Sequence, residues 1–193
     1  MRVEAMDHYV DIVVRTDPEI AQYQLMDALF TRLHLALASQ RRNDIGVSFP
    51  AHDEGKPYLG GHMRLHGAAT ELSRFLDSSW LKGVSEYVAL SDIVPVPAGV
   101  PHRQVRRVQA KSSAERLRRR AMRRHGLTQE EAAERIPEAA QQRLSLPFVT
   151  IGSRSTGQPS FRLFISHGPL LQQPTVGDYN SYGLSQGGSV PWF

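Results

Sequence analysis

The residues that could carry out acid–base chemistry near neutral pH are the histidines and the carboxylates, because the chain has eight histidines and no cysteine. The lack of cysteine also excludes a disulfide scaffold and any zinc site built from thiolates. Histidine is well matched to proton transfer, since its ordinary pKa is about 6.5. A histidine is therefore the first candidate for a catalytic base or acid.

His34 lies beside an apolar pattern at helical spacing within residues 24–40. That position alone indicates a boundary histidine on an amphipathic helix. Four other histidines are no more distinctive: His8, His66, His125 and His167. Residues 153–157 (SRSTG) form a hydroxyl-rich turn that could bind phosphate, although such turns are common. Tyr182 has no distinguishing neighbours. The residues alone leave the catalytic group unassigned.

The charge is unevenly distributed along the chain. The formal net charge is only +4, but residues 102–125 contain ten Lys or Arg and one acid, Glu115. Such a block indicates a polyanionic partner, with nucleic acid the first candidate and an acidic membrane surface the second. The ten basic residues are Arg103, Arg106, Arg107, Lys111, Arg116, Arg118, Arg119, Arg120, Arg123 and Arg124.

Much of this block is predicted to be a helix. Ser112 and Glu115 have the spacing of a capping box, so we expect a helix from Ser113 to His125 that Gly126 ends. At about 100° per residue, five arginines fall within one arc of roughly 140°. These are Arg116, Arg119, Arg120, Arg123 and Arg124. A dense arginine face favours bidentate pairing with phosphates.

The residues do not decide between RNA and DNA as the partner. An α-helix fits the major groove of B-DNA, whereas A-form RNA admits one only near helix ends, bulges and loops. Metal-dependent phosphodiester cleavage usually needs clustered carboxylates, and the basic half of the chain has no suitable cluster. Metal-free RNA cleavage needs only a base, an acid or both from the protein, because the substrate supplies its own 2′-OH nucleophile.

The order of predicted elements in the first half is β-α-β-β-α-β, which indicates a ferredoxin-like α+β fold. These elements cover residues 7–15, 24–40, 45–49, 62–66, 69–76 and 86–96. Three prolines within residues 94–101 predict a boundary between domains 1–99 and 100–193. In the second domain we expect a helix over 128–144, strands over 148–151 and 161–165, and an apolar C-terminal end, residues 190–193, that packs back onto the domain.

The chain has no apolar run of 18 residues and no signal-peptide pattern at its start, so we expect no membrane span and a cytoplasmic location.

The chain resembles a known family, the Csy-type nucleases that process CRISPR repeats in subtype I-F systems. The similarity covers residues 6–193. It is carried by residues 6–9 (MDHY), 45–50 (IGVSFP), 103–105 (RQV), 107–112 (RVQAKS), 115–120 (ERLRRR), 146–150 (LPFVT), 155–158 (STGQ), 161–165 (FRLFI), 182–185 (YGLS) and 191–193 (PWF).

The resemblance implies a role for each candidate residue. It implies that His34 is the catalytic histidine, that Ser153 positions the 2′-OH, and that Tyr182 orients His34. It further implies that Ser155 and Thr156 line the same pocket. The arginine helix is expected to enter the major groove of the repeat hairpin through Arg116, Arg119, Arg120, Arg123, Arg124 and His125. Arg107 and Gln109 are expected to read base edges, and Phe161 to stack under the terminal base pair.

The implied reaction is attack of the 2′-OH on its own phosphate, which leaves a 2′,3′-cyclic phosphate and a 5′-OH. No metal or cofactor is expected. The expected partners are the CRISPR repeat RNA hairpin, in pre-crRNA and crRNA, and the other subunits of the type I-F surveillance complex. Two alternatives stand beside this interpretation: an RNA-binding subunit without turnover, and a DNA-binding regulator that uses the arginine helix.

Overall fold

The structure, a computed structural model, describes residues 6–109, 114–136, 145–152 and 160–193. The chain forms two compact units: Met1–Arg107 with Leu146–Phe193, and Val108–Ser145. The domain boundary between residues 99 and 100 stays a prediction, and the strand that follows it lies mostly in the first unit.

The predicted β-α-β-β-α-β order is confirmed in the first unit. Its elements are β1 (His8–Val14), α1 (Gln22–Ser39), β2 (Gly46–Ser48), β3 (His62–Gly67), α2 (Ala69–Leu76), a 3₁₀ helix (Ser85–Tyr87), β4 (Val88–Leu90) and β5 (Val94–Pro95). The strands lie in the order β2-β3-β1-β4, and all the pairings are antiparallel. This is the ferredoxin-like arrangement, and β5 adds a short pairing with β1.

The main core lies between this sheet and its helices. In β1 the alternate residues Val10, Ile12 and Val14 are buried, as the twofold period of a strand requires for a face packed against other elements. Val10 pairs with Leu65 and Ile12 with Met63, so both strands present apolar side chains on the same face. Helices α1 and α2 contact β1, and their buried side chains join this core.

A second sheet contacts the first. It is formed by β6 (His102–Val108), β7 (Phe148–Ile151), β8 (Phe161–Leu171) and β11 (Val190–Pro191), in the order β11-β6-β8-β7. A short hairpin, β9 (Asp178–Tyr179) and β10 (Ser185–Gln186), precedes β11. A Cβ on Gly46 would lie 2.5 Å from Cγ1 of Val190, so only glycine permits this close approach. The predicted return of the C-terminal end is confirmed by the pairing of β11 with β6, in which Val190 lies opposite Arg103 and Pro191 opposite His102.

The C-terminal end is held by an ion pair inside the first unit. Nε and Nη2 of Arg64 donate to the two carboxylate oxygens of Asp11 at 2.6 and 2.9 Å. The guanidinium lies over the rings of Tyr9 and Phe193, 4.4 and 4.0 Å from their centroids, and Nη1 donates to the Phe193 carbonyl at 2.9 Å. This bidentate and stacked geometry is specific to arginine.

The second unit contains two helices that pack on each other, α3 (Ala114–His125) and α4 (Gln129–Arg135). Gly126, at φ +65°, ends α3 as predicted, and its N–H donates to the Met122 carbonyl at 2.9 Å. The predicted start of α3, with Ser112 and Ser113, lies outside the described residues. Helix α4 ends at Arg135, and the part of the predicted helix over 128–144 that follows residue 136 lies outside the described residues. Pro137 disfavours the helical conformation at the residue before it, Ile136.

No helix among the described residues is long and apolar enough to cross a membrane.

Candidate active site

His34 lies at the edge of the apolar face of α1, where it is half-buried beside Leu33 and Leu37 of the core. Its Nδ1 is 2.9 Å from the carbonyl oxygen of Ser181. A carbonyl oxygen only accepts hydrogen bonds, so Nδ1 carries the hydrogen. In the neutral ring this leaves Nε2 with a free lone pair that can accept a proton.

The ring of Tyr182 covers one side of the His34 imidazole. The two rings are nearly parallel, with 3.9 Å between their centroids and 13° between their planes. Phe30, one helical turn before His34, is also parallel to Tyr182, at 6.3 Å and 8°. Stacking on Tyr182 therefore fixes the plane of the His34 ring, and the hydrogen bond to Ser181 fixes the orientation of the ring within that plane.

Ser181 and Tyr182 lie in a tight turn between β9 and β10. Gly183 donates its N–H to the Asn180 carbonyl at 2.8 Å and has φ +72°, which favours glycine. A Cβ on Gly183 would lie 2.5 Å from Cγ2 of Val47. The Gly183 carbonyl accepts from the N–H of Val47 at 2.9 Å, which fixes the turn to β2 of the first sheet.

Arg107, near the end of β6, brings a cation to the same place. Its guanidinium carbon is 5.4 Å from the ring centroid of Tyr182 and 5.8 Å from that of Phe161. Both distances are within the range of cation–π attraction. Phe161 pairs with Ile151 in the β7–β8 ladder and is half-buried. The structure therefore places His34, Tyr182, Arg107 and Phe161 in one contiguous group.

A carboxylate ties α1 to β7. Oδ1 of Asp27, seven residues before His34, accepts from the backbone N–H of Thr150 at 2.9 Å. Burial raises the pKa of Asp27, although its hydrogen bonds with Thr150 act in the opposite direction. Asp27 is absent from the candidates chosen from the sequence, and no spacing in the sequence marks it.

The other candidates belong to the second unit or lie outside the described residues. Ser153, Ser155 and Thr156 are outside the described residues, so the structure does not test their roles. Gln109 is exposed directly after β6. In the second unit, helix α3 carries the exposed side chains of Arg119, Arg120, Arg123, Arg124 and His125. Arg116 is on the same helix, and its side chain is not described.

The arginine face of α3 is separate from the face that packs on α4. Leu117, Ala121 and Met122 are half-buried, and Nε of Arg118 donates to the Ile136 carbonyl of the C-cap of α4 at 2.8 Å. This division matches the arc predicted from the sequence.

Within residues 6–109, 114–136, 145–152 and 160–193, no group of three or more His, Asp or Glu side chains is arranged to hold a metal ion.

The fold and this group of residues define a ferredoxin-like α+β protein with a histidine-centred site and a separate arginine-rich helical unit. Residues 9–193 match the family model described as CRISPR-associated protein (Cas_Csy4). The chain is 52% identical over 188 residues to the CRISPR-associated endonuclease Cas6/Csy4 of Pseudomonas aeruginosa (strain UCBPP-PA14). It is 45% identical over 188 residues to the protein of the same name from Escherichia coli (strain UTI89 / UPEC).

Each alignment covers 97% of this chain and 100% of the relative. The chain belongs to the CRISPR-associated Csy4 family, as its sequence motifs indicated.

Proposed function

We propose that this chain is a metal-independent endoribonuclease that cuts the repeat hairpins of CRISPR precursor RNA and retains the product. The observation that carries the proposal is the fixed geometry of His34. Its Nδ1 donates to Ser181 at 2.9 Å and its ring stacks on Tyr182 at 3.9 Å, which keeps Nε2 available for proton transfer. The name of both relatives, CRISPR-associated endonuclease, supports the same class of activity.

The proposed reaction uses a nucleophile within the substrate. The 2′-OH of the nucleotide before the cut attacks the adjacent phosphorus, and the bond from phosphorus to the 5′ oxygen breaks. The products are a 2′,3′-cyclic phosphate and a 5′-OH. The 2′-OH proton must leave and the 5′ oxygen must gain a proton, and His34 is the group that transfers protons in this scheme. We assign the orientation of the 2′-OH to Ser153, with Ser155 and Thr156 in the same pocket.

The RNA contacts are proposed on two parts of the chain. Arginines of α3 pair with backbone phosphates of the hairpin: Arg116, Arg119, Arg120, Arg123 and Arg124, followed by His125. Arg107 suits the O6 and N7 atoms of guanine, and Gln109 suits N6 and N7 of adenine. Phe161 offers a ring face to the terminal base pair. Retention of the product would let the protein join the other subunits of a type I-F surveillance complex.

The proposal is tested by replacing His34 with alanine and measuring cleavage and hairpin binding separately. His34→Ala should abolish cleavage at saturating protein and leave the Kd for the hairpin unchanged. Leu35→Ala is the matched control, because Leu35 is the next residue on the helix and is 38% exposed. A His34→Ala protein that still cuts the same phosphate contradicts the assignment.

The same assay separates the alternatives. A wild-type protein that binds the hairpin without cutting it is an RNA-binding subunit. A duplex DNA of equal charge that displaces the hairpin indicates a DNA-binding regulator.

A further inference from the structure

The turn that carries Ser181 and Tyr182 depends on the side chain of Asn180. We propose that Asn180 is a positioning residue, which fixes the tautomer and the ring plane of His34 through the peptide group between Ser181 and Tyr182. The catalytic consequence rests on the proposed function, whereas the structural consequence for His34 does not.

The side chain of Asn180 closes the turn from inside. Its Oδ1 accepts from the backbone N–H of Tyr182 at 2.9 Å and from that of Leu184 at 3.2 Å. Its own backbone N–H donates to the Leu184 carbonyl at 2.9 Å, and its carbonyl accepts from Gly183 at 2.8 Å. An asparagine at the first position of a turn with glycine at the fourth is the residue pattern that favours this geometry.

The N–H of Tyr182 and the C=O of Ser181 belong to one planar peptide group, and in a trans peptide they point in opposite directions. Asn180 holds the N–H end, and His34 Nδ1 donates to the C=O end at 2.9 Å. The orientation of the carbonyl therefore follows from the bond to Asn180. Hydrogen bonds in such a chain also polarise one another, which strengthens the acceptor that His34 meets.

The same peptide group also sets the position of the Tyr182 ring. Tyr182 stacks on His34 with 13° between the ring planes, so a rotation of its backbone would change both restraints on the imidazole. The other end of the turn is held independently, because Val47 donates to the Gly183 carbonyl at 2.9 Å. Loss of the Asn180 side chain should therefore loosen the end of the turn that faces His34 while the turn stays attached to β2.

The first test is spectroscopic and needs no RNA. In ¹⁵N-labelled protein near pH 8, the ring nitrogens of His34 report which nitrogen carries the hydrogen. The wild type should show hydrogen on Nδ1, and Asn180→Ala should shift the populations toward hydrogen on Nε2. Asn180→Asp keeps both acceptor positions and should retain the wild-type tautomer. Gln186→Ala, an exposed position in β10, is the control.

The second test measures cleavage under single-turnover conditions. Asn180→Ala should lower the rate by about 10- to 100-fold, the scale expected for misplacement of a catalytic group, with the hairpin Kd unchanged. Should Asn180→Ala fail to fold, Asn180→Ser replaces it, because one short hydroxyl can accept from one of the two N–H groups and should give an intermediate shift.

Unshifted His34 nitrogens in Asn180→Ala, or in Asn180→Ser where that variant is used, would overturn the inference. An equal loss of rate in Asn180→Ala and Asn180→Asp, each with the wild-type tautomer, would also overturn it. If the wild type does not cut RNA, the proposed function falls, and the nitrogen shifts alone decide whether Asn180 positions His34.

Discussion

The imidazole of His34 lies flat against the ring of Tyr182, with 3.9 Å between their centroids. This contact uses the tyrosine ring face, so the ring and the hydroxyl can be tested apart. Tyr182→Phe should keep the cleavage rate close to that of the wild type. Tyr182→Leu should lower it by roughly 3- to 10-fold, since a stacked aromatic pair contributes about 0.5–1.5 kcal/mol. Single-turnover cleavage measures the rate of each variant. Equal rates for Tyr182→Phe and Tyr182→Leu would contradict a stacking role.

Arg107 is predicted to act through its planar guanidinium, which lies 5.4 Å from the Tyr182 ring centroid and 5.8 Å from that of Phe161. Arg107→Ala should weaken hairpin binding by about 1–3 kcal/mol and relax the preference for guanine at one position. Arg107→Lys keeps the charge but loses the bidentate geometry, so it should restore little of the specificity. Binding to hairpins with each base at that position tests this, and uniform weakening across all four would indicate a phosphate contact instead.

The exposed arginines of α3 should determine the salt dependence of RNA binding. Arg123→Ala should weaken binding to all hairpin sequences by a similar factor and reduce the slope of log K against log salt by about 1. Arg135→Ala removes the same charge from α4, where the side chain is also exposed, and serves as the control. Equal slopes for the two variants would show that the effect depends on net charge and not on the arginine face.

Two histidines should make the fold sensitive to acid: His66, which is fully buried, and His167, whose two ring nitrogens are buried. Burial lowers the pKa of His66 to about 3, and burial is also the main cause that lowers the pKa of His167 to about 3. Below about pH 6.5 the unfolded chain binds protons at these positions while the folded chain does not, so stability falls as pH falls toward 3. Each histidine contributes a slope of at most about 1.4 kcal/mol per pH unit.

Urea unfolding at pH 7 and pH 5 measures this loss of stability. The substitution His167→Phe removes one titrating group and should flatten the pH dependence. An unchanged pH dependence in that variant would contradict the assignment of His167 as neutral in the folded state.

The ferredoxin-like half and the arginine face could be predicted from the sequence because both depend on local periodicity. Alternation in β1 and the helical spacing in α1 reflect burial against one core, and the arc of arginines on α3 follows from helix geometry alone. The end of α4 at Arg135 also has a local cause, because Pro137 disfavours the helical conformation at the residue before it, Ile136.

The site could be predicted only through resemblance to a family. His34 and Tyr182 are 148 residues apart, and no spacing in a single sequence brings them together. The hydrogen-bond partner of His34 is the backbone carbonyl of Ser181. Every residue has such a carbonyl, so the residue type at position 181 gives no signal of this contact. Asn180 and Gly183 do carry a local signal, the asparagine and glycine of a tight turn, but that signal predicts a turn and not what the turn supports.

The most direct test of the proposed reaction is cleavage of the cognate repeat hairpin in EDTA, with an all-ribose substrate and one that carries a 2′-deoxy nucleotide just before the cut. We expect the ribose hairpin to be cut without metal to a 2′,3′-cyclic phosphate and a 5′-OH, while the deoxy hairpin is bound and stays intact. Cleavage of the deoxy hairpin, or cleavage only when a metal is restored, would contradict it.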